Sequence, residues 1–205
     1  MAWARMCAYG FAAAMLLANL VMVRALLVHD FSVSYVAQVG SLKTPTWVTV
    51  VSLWSSLEGS ILFWGVILGG YLSAFTYQMT DRYREYVPYA TGVLMGIAAF
   101  FAFLIAAPAN PFLPVDPVPT DGPGPNPLLQ NHILMVVHPP LLYLGYVGMT
   151  IPFGMGVAAL LRGHLGPSWM GATRRWMLIP FGFLTAGVVL GGWWAYETLS
   201  FGGWW

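Results

Sequence analysis

The chain has 205 residues, 59% of them hydrophobic and only 7% charged, with a formal net charge of +1. Soluble domains carry about a quarter charged residues, so this composition excludes a soluble globular protein and requires lipid as a second solvent. The near-neutral balance excludes nucleic acid as a partner. Cys7 is the sole cysteine, which excludes an internal disulfide, a CxxC redox pair and a CxxCH attachment site.

A spanning helix needs about 20 mostly apolar residues, and five segments qualify: 8–28, 59–79, 88–107, 139–161 and 176–194. The predicted fold is all-α, a polytopic transmembrane bundle of about five helices with outer-face loops, forming a single integral membrane domain over 1–205 in contact with membrane lipid. Arg5 precedes the first segment, but the apolar run is long and no small-x-small site precedes Val28-His29-Asp30, so it reads as a span rather than a signal peptide. Asn19 and Arg24, in its outer half, are expected to pack between helices or to snorkel.

Next comes the segment 29–58, carrying His29, Lys43 and Glu58. Glu58 opens the second span; a carboxylate there is either a functional outer-face group or an N-terminal helix charge complementing the dipole. Arg82 and Arg84 separate the second and third spans. The segment 108–137 reads as a proline-rich outer loop, with eight prolines between Pro108 and Pro127 that preclude a helix and favour an extended, strap-like backbone. His132 falls in this loop, either as a second polar contact or as an ordinary loop residue.

His138-Pro139-Pro140 opens the fourth span. Prolines suit the first helical turn, so His138 is expected at or just before the cap, on a backbone stiffened by the two prolines after it. An imidazole there could ligate iron or simply cap a helix at the membrane edge. Arg162, His164, Arg174 and Arg175 lie between the fourth and fifth spans. The chain closes on a doubled phrase, Gly191-Gly192-Trp193-Trp194 and Gly202-Gly203-Trp204-Trp205. Tryptophan is enriched at membrane interfaces as an aromatic belt. Yet the repeat recurs after eleven residues, about three helical turns, and glycine lets a backbone approach a ligand closely. Both a belt and a ligand platform are consistent with the pattern.

No Lys or Arg occurs between Glu85 and Leu161. The positive-inside rule therefore places the loops bearing Arg82, Arg84, Arg162, Arg174 and Arg175 in the cytoplasm. Arg5 agrees and Lys43 dissents. His138 and both Trp pairs then share the outer face, whereas His164 lies on the other.

Several blocks resemble one known family: Asp30-Phe31-Ser32-Val33-Ser34-Tyr35-Val36-Ala37, Trp54 to Trp64 with Glu58-Gly59-Ser60, Asn126 to Gln130, and His138-Pro139-Pro140-Leu141-Leu142-Tyr143-Leu144-Gly145-Tyr146-Val147-Gly148. Together they are similar to the CcmF family of cytochrome c-type biogenesis proteins, and 191–205 resembles the start of its tryptophan-rich WWD motif. The resemblance implies a haem lyase subunit in the bacterial cytoplasmic (inner) membrane, with its working residues on the periplasmic side. It implies non-covalent haem b (iron protoporphyrin IX) as cofactor, the haem chaperone CcmE, CcmH and apocytochrome c as partners, and thioether formation between haem vinyls and client thiols. His138 would be an axial ligand to the haem iron, and Trp193, Trp194, Trp204 and Trp205 the haem platform; Glu58 and His132 are further outer-face candidates. No residue is expected to act as a chemical catalyst, because the protein positions a cofactor that carries the chemistry. The Trp-Asp-Pro continuation of the motif and further haem-ligating histidines belong to longer family members, so the resemblance implies an N-terminal or internal piece of a longer protein. The alternatives are haem delivery without lyase activity, and a cofactor-free scaffold or transporter subunit; few polar or broken positions interrupt the spans, unlike the pattern of transporters.

Overall fold

The computed structural model describes residues 2–78, 85–127, 132–163, 166 and 168–199. Of the described residues 77% are helical, and no strand occurs among them. In order, the helices are α1 (Ala2–Leu27), α2 (Ser34–Val39), α3 (Thr46–Val51) running into a 3₁₀ turn (Ser52–Trp54), α4 (Leu57–Gln78), α5 (Val87–Ala106), α6 (Leu134–Gly148), α7 (Thr150–Arg162) and α8 (Ser168–Leu199). Five stretches are long and apolar enough to cross a membrane: Trp3–Leu27, Leu57–Gln78, Val87–Ala106, Leu134–Arg162 and Trp169–Thr198. The protein is a multi-pass membrane protein.

Helix contacts in lipid depend on close packing and small residues, because lipid tails are as apolar as leucine. In α1 and α4, Gly69 faces Ala12, and Asn19 bridges the helices by donating to its own Met15 carbonyl at 2.8 Å and to the Leu62 carbonyl at 3.0 Å. The central core joins α4, α5 and α7 through Leu68, Leu72, Leu94, Ile151 and Met155, all fully buried. Pro88 sits in the first turn of α5, where its missing N–H costs nothing. Gly163 ends α7 in the left-handed conformation, with φ 68°.

The structure corrects two expectations. The fourth span is two helices, α6 and α7, meeting at Met149. Pro152 lacks the N–H that would bond the Gly148 carbonyl, and beside the join the Thr150 hydroxyl donates to the Val147 carbonyl at 2.6 Å. Second, α6 starts at Leu134, so His138 lies in its second turn and Pro139 and Pro140 are interior. The outer loop accordingly stops short of 134–137. Pro139 removes the partner of the Met135 carbonyl, and the Trp54 indole N–H fills that vacancy at 3.0 Å. A side chain contributed by another element thus lets the helix begin before its prolines.

At the end where α1, α5 and α8 finish and α4 and α6 begin, α2, α3 and the segment 108–127 form an outer layer. Prolines donate no N–H, so bonds run into their carbonyls: the Tyr35 N–H and the Ser34 hydroxyl both donate to Pro111 O, at 3.3 Å each. Ser34 N donates to Leu113 O at 2.7 Å, and Val33 and Pro114 form an isolated antiparallel bridge. Tyr35 is buried and donates to the Ser52 carbonyl at 2.8 Å; burial pushes its phenol well above the ordinary range. The opposite end carries Arg5, which donates to the Thr76 carbonyl at 3.1 Å, and the Arg162–Glu85 ion pair at 2.9 Å.

Candidate functional site

The site is built on the antiparallel seam between α6 and α8, which is kept narrow by glycine. A Cβ on Gly145 would meet Leu184 backbone atoms at 2.6 Å, and one on Gly187 would meet Leu142 at 3.0 Å. The register continues one turn further: a Cβ on Gly191 would collide with His138, reaching Nδ1 at 2.7 Å and Nε2 at 3.0 Å. Each step of three or four residues back along α6 is matched by one forward along α8.

His138 is therefore held edge-on against the α8 backbone. Its Nδ1 lies 2.7 Å from the Gly187 carbonyl. A carbonyl only accepts, so Nδ1 carries the proton and Nε2 keeps its lone pair. The described residues give Nε2 no hydrogen-bond partner. Two cavities flank the ring and share His138, Leu142 and Tyr146. One, of about 450 Å³, is lined by Trp54, Trp64, Tyr143 and Trp194. The other, of about 600 Å³, opens over Gly191, Gly192 and Trp193. Both volumes fall in the range of small-molecule sites.

α8 runs unbroken through Gly191-Gly192, and consecutive residues on a helix diverge by about 100°. Trp193 and Trp194 thus face different ways. Trp193 is 57% exposed and lines the larger cavity. Trp194 packs inward, edge-on to His138 at 5.7 Å between ring centroids and stacked on His132 at 6.4 Å with an interplanar angle of 20°. The first Trp pair therefore frames two cavities rather than one continuous surface. Trp204 and Trp205 lie outside the described residues, as does His164.

His132 joins the cluster. Its Nδ1 accepts from Leu134 N at 3.2 Å, and its Nε2 pairs with Glu197. Glu58 does not join: it sits in the first turn of α4 with one buried carboxylate oxygen that has no hydrogen-bond partner among the described residues. His29 stacks on Phe31, away from the seam. Among the described residues no three His, Cys, Asp or Glu side chains converge as a metal cluster. Four participants escaped sequence reasoning: Gly187, Glu197, Trp54 and Trp64. The spacing of Gly187 and Gly191 is the small-xxx-small signal of close helix approach, and Glu197 lies four residues after Trp193, on the same helix face. Nothing in the pattern marks Trp54 or Trp64 as cavity walls.

A family model for cytochrome c assembly proteins matches residues 54–205. The chain belongs to that family. It is 42% identical over 185 residues to the cytochrome c-type biogenesis protein CcmF of Pseudomonas aeruginosa, covering 88% of this chain and 28% of the relative. It is 39% identical over 189 residues to CcmF of Escherichia coli, covering 92% and 29% respectively. A solved structure titled cytochrome c heme lyase CcmF superposes with a TM-score of 0.83 at 41% identity, covering 98% of this chain and 31% of that one. The chain thus spans less than a third of the length of these relatives.

Proposed function

We propose that the α6–α8 seam binds haem and presents it for covalent attachment to apocytochrome c. The observation that carries this reading is His138: a ring fixed by the Gly187 carbonyl, with Nε2 given no hydrogen-bond partner by the described residues and set between two apolar cavities. Metal-ligating histidines commonly donate their other ring N–H to a carbonyl or carboxylate, which sets the tautomer and raises ligand basicity. The residues fit a flat macrocycle. Gly191 gives the space a Cβ would fill to the His138 imidazole itself, and the walls of the two flanking cavities are aromatic and aliphatic. Among the described residues no cluster of three His, Cys, Asp or Glu side chains converges here, a setting that suits a metal already held by its own four nitrogens.

His138 would bind the iron through Nε2, with Trp193 and Trp194 bordering the macrocycle and Trp204 and Trp205 extending that border. Bound haem b supplies the vinyl carbons to which client thiols add. The protein's contribution is to hold the vinyl edge and the thiol in line, a positioning effect that removes several kcal/mol of the barrier. The exposed Cys7 lies on α1, away from the seam, consistent with thiols that come from the client. The bacterial relatives and the basic-residue pattern support placement in the inner membrane with the seam on the periplasmic side; the family resemblance adds CcmE as the haem donor and CcmH as the subunit presenting apocytochrome c.

The test is made in the full-length protein. His138→Ala should lower both co-purified haem and holocytochrome c formed in a cell lacking the native copy. Wild-type haem content and holocytochrome yield would overturn the ligand role. Retained haem loading of the chaperone with no thioether formation by the unaltered protein would favour delivery over lyase activity.

A further inference from the structure

We infer that Glu197 is a positioning residue of this site, locking the tryptophan motif of α8 onto the start of α6. The inference rests on the reading of His138 as the haem ligand and extends it to a residue that touches neither His138 nor the cavities.

Glu197 is the one acidic residue of α8; it lies at the outer end of the last apolar stretch, which finishes at Thr198, and is partly exposed. Both of its oxygens are used. Oε1 accepts from the indole N–H of Trp193, and Oε2 pairs with Nε2 of His132. Because Leu134 N donates to His132 Nδ1, the neutral ring carries its proton on Nε2 and donates it to Glu197. The carboxylate thus accepts from two donors, one on α8 itself and one at the start of α6. His132 stacks on Trp194, whose other neighbour is His138. One side chain therefore fixes Trp193 directly, and Trp194 through His132. It stands two steps along the antiparallel seam beyond the Gly191–His138 contact, where the glycine packing has ended.

The test uses the full-length protein with haem titrated back after extraction. Glu197→Leu removes both acceptors and should weaken haem binding about fivefold, which equals about 1 kcal/mol. It should also reduce the near-ultraviolet circular dichroism of the tryptophans before haem is added. Glu197→Gln keeps one acceptor oxygen and should fall between the two. Trp193→Phe exchanges the indole for a phenyl ring and removes the donor; combined with Glu197→Leu it should cost less than the sum of the two single losses. If Glu197→Leu does not fold, Glu197→Gln carries the comparison. Wild-type affinity and dichroism in the folded Glu197 variants, or fully additive losses with Trp193→Phe, would overturn the inference. His138→Ala in the same titration separates the two claims: wild-type affinity in that variant would defeat the ligand reading, whereas a loss there beside unaffected Glu197 variants would defeat this one alone.

Discussion

Gly191→Ala adds a single methyl group at the point where α8 touches His138. The new Cβ would stand 2.7 Å from Nδ1 and 3.0 Å from Nε2, with Cε1 closer still. Because Cε1 is the nearest atom and the ring is rigid, the imidazole must retreat by more than the roughly 0.7 Å that Nδ1 alone would need to reach ordinary van der Waals contact. The Gly187 carbonyl lies on the same helix one turn earlier, so the retreat also stretches the 2.7 Å hydrogen bond beyond the usual 3.2 Å limit. Overpacking of this kind costs about 1–3 kcal/mol, and the lost hydrogen bond about 1 kcal/mol. Against these, alanine is the better helix former by about 1 kcal/mol. Global stability should therefore fall by about 1–3 kcal/mol, while the imidazole is displaced and its tautomer released. Haem affinity should fall about tenfold or more, since about 1.4 kcal/mol of ligand misplacement suffices for that factor. Gly182 is the control on the same helix, because nothing lies within 4 Å of a Cβ built there. Gly182→Ala should leave haem titration unchanged and raise thermal stability slightly. Equal haem affinity in Gly191→Ala and the unaltered protein would refute the claim that this contact positions His138.

Other contacts of the bundle can be tested in the same way. Trp54→Phe removes the donor that serves the Met135 carbonyl; with Pro139 unable to replace it, unfolding in detergent should show a loss of about 1–3 kcal/mol. Asn19→Leu removes the α1–α4 bridge and should cost about 0.6 kcal/mol by the same assay, the average for hydrogen bonds between membrane helices. Asp121 accepts from Leu42 N at 2.9 Å and Gly122 N at 2.8 Å, and the Leu42 bond above all holds its carboxyl below the ordinary value. A depressed carboxylate contributes stability above its unfolded pKa and loses it as pH falls through the folded value. Relative to neighbouring amides, exchange at Leu42 and Gly122 should accelerate only when pH drops below about 4, and Asp121→Asn should show that acceleration at neutral pH.

Hydropathy made the five spans legible because each is a long apolar run with charges confined to its ends. Details were lost where tertiary partners override local rules. Pro139 and Pro140 read as a helix start, since sequence cannot reveal that Trp54, more than eighty residues earlier, satisfies the Met135 carbonyl. His132 looked like loop because its helix starts only two residues later and its partner is Glu197 on another helix. The paired tryptophans suggested one platform; the unbroken helix turns them into different cavities. Charge bias did bring His138 and the first Trp pair to one end of the bundle, and there the seam joins them.

Whether His138 holds the iron is read most directly from the metal itself, in the full-length protein. Electron paramagnetic resonance with ¹⁵N-labelled histidine should show hyperfine coupling from a ring nitrogen at the haem, and His138→Ala should abolish or replace that coupling. An unchanged spectrum in His138→Ala would contradict ligation by this residue and, with it, the haem-presenting role of the α6–α8 seam.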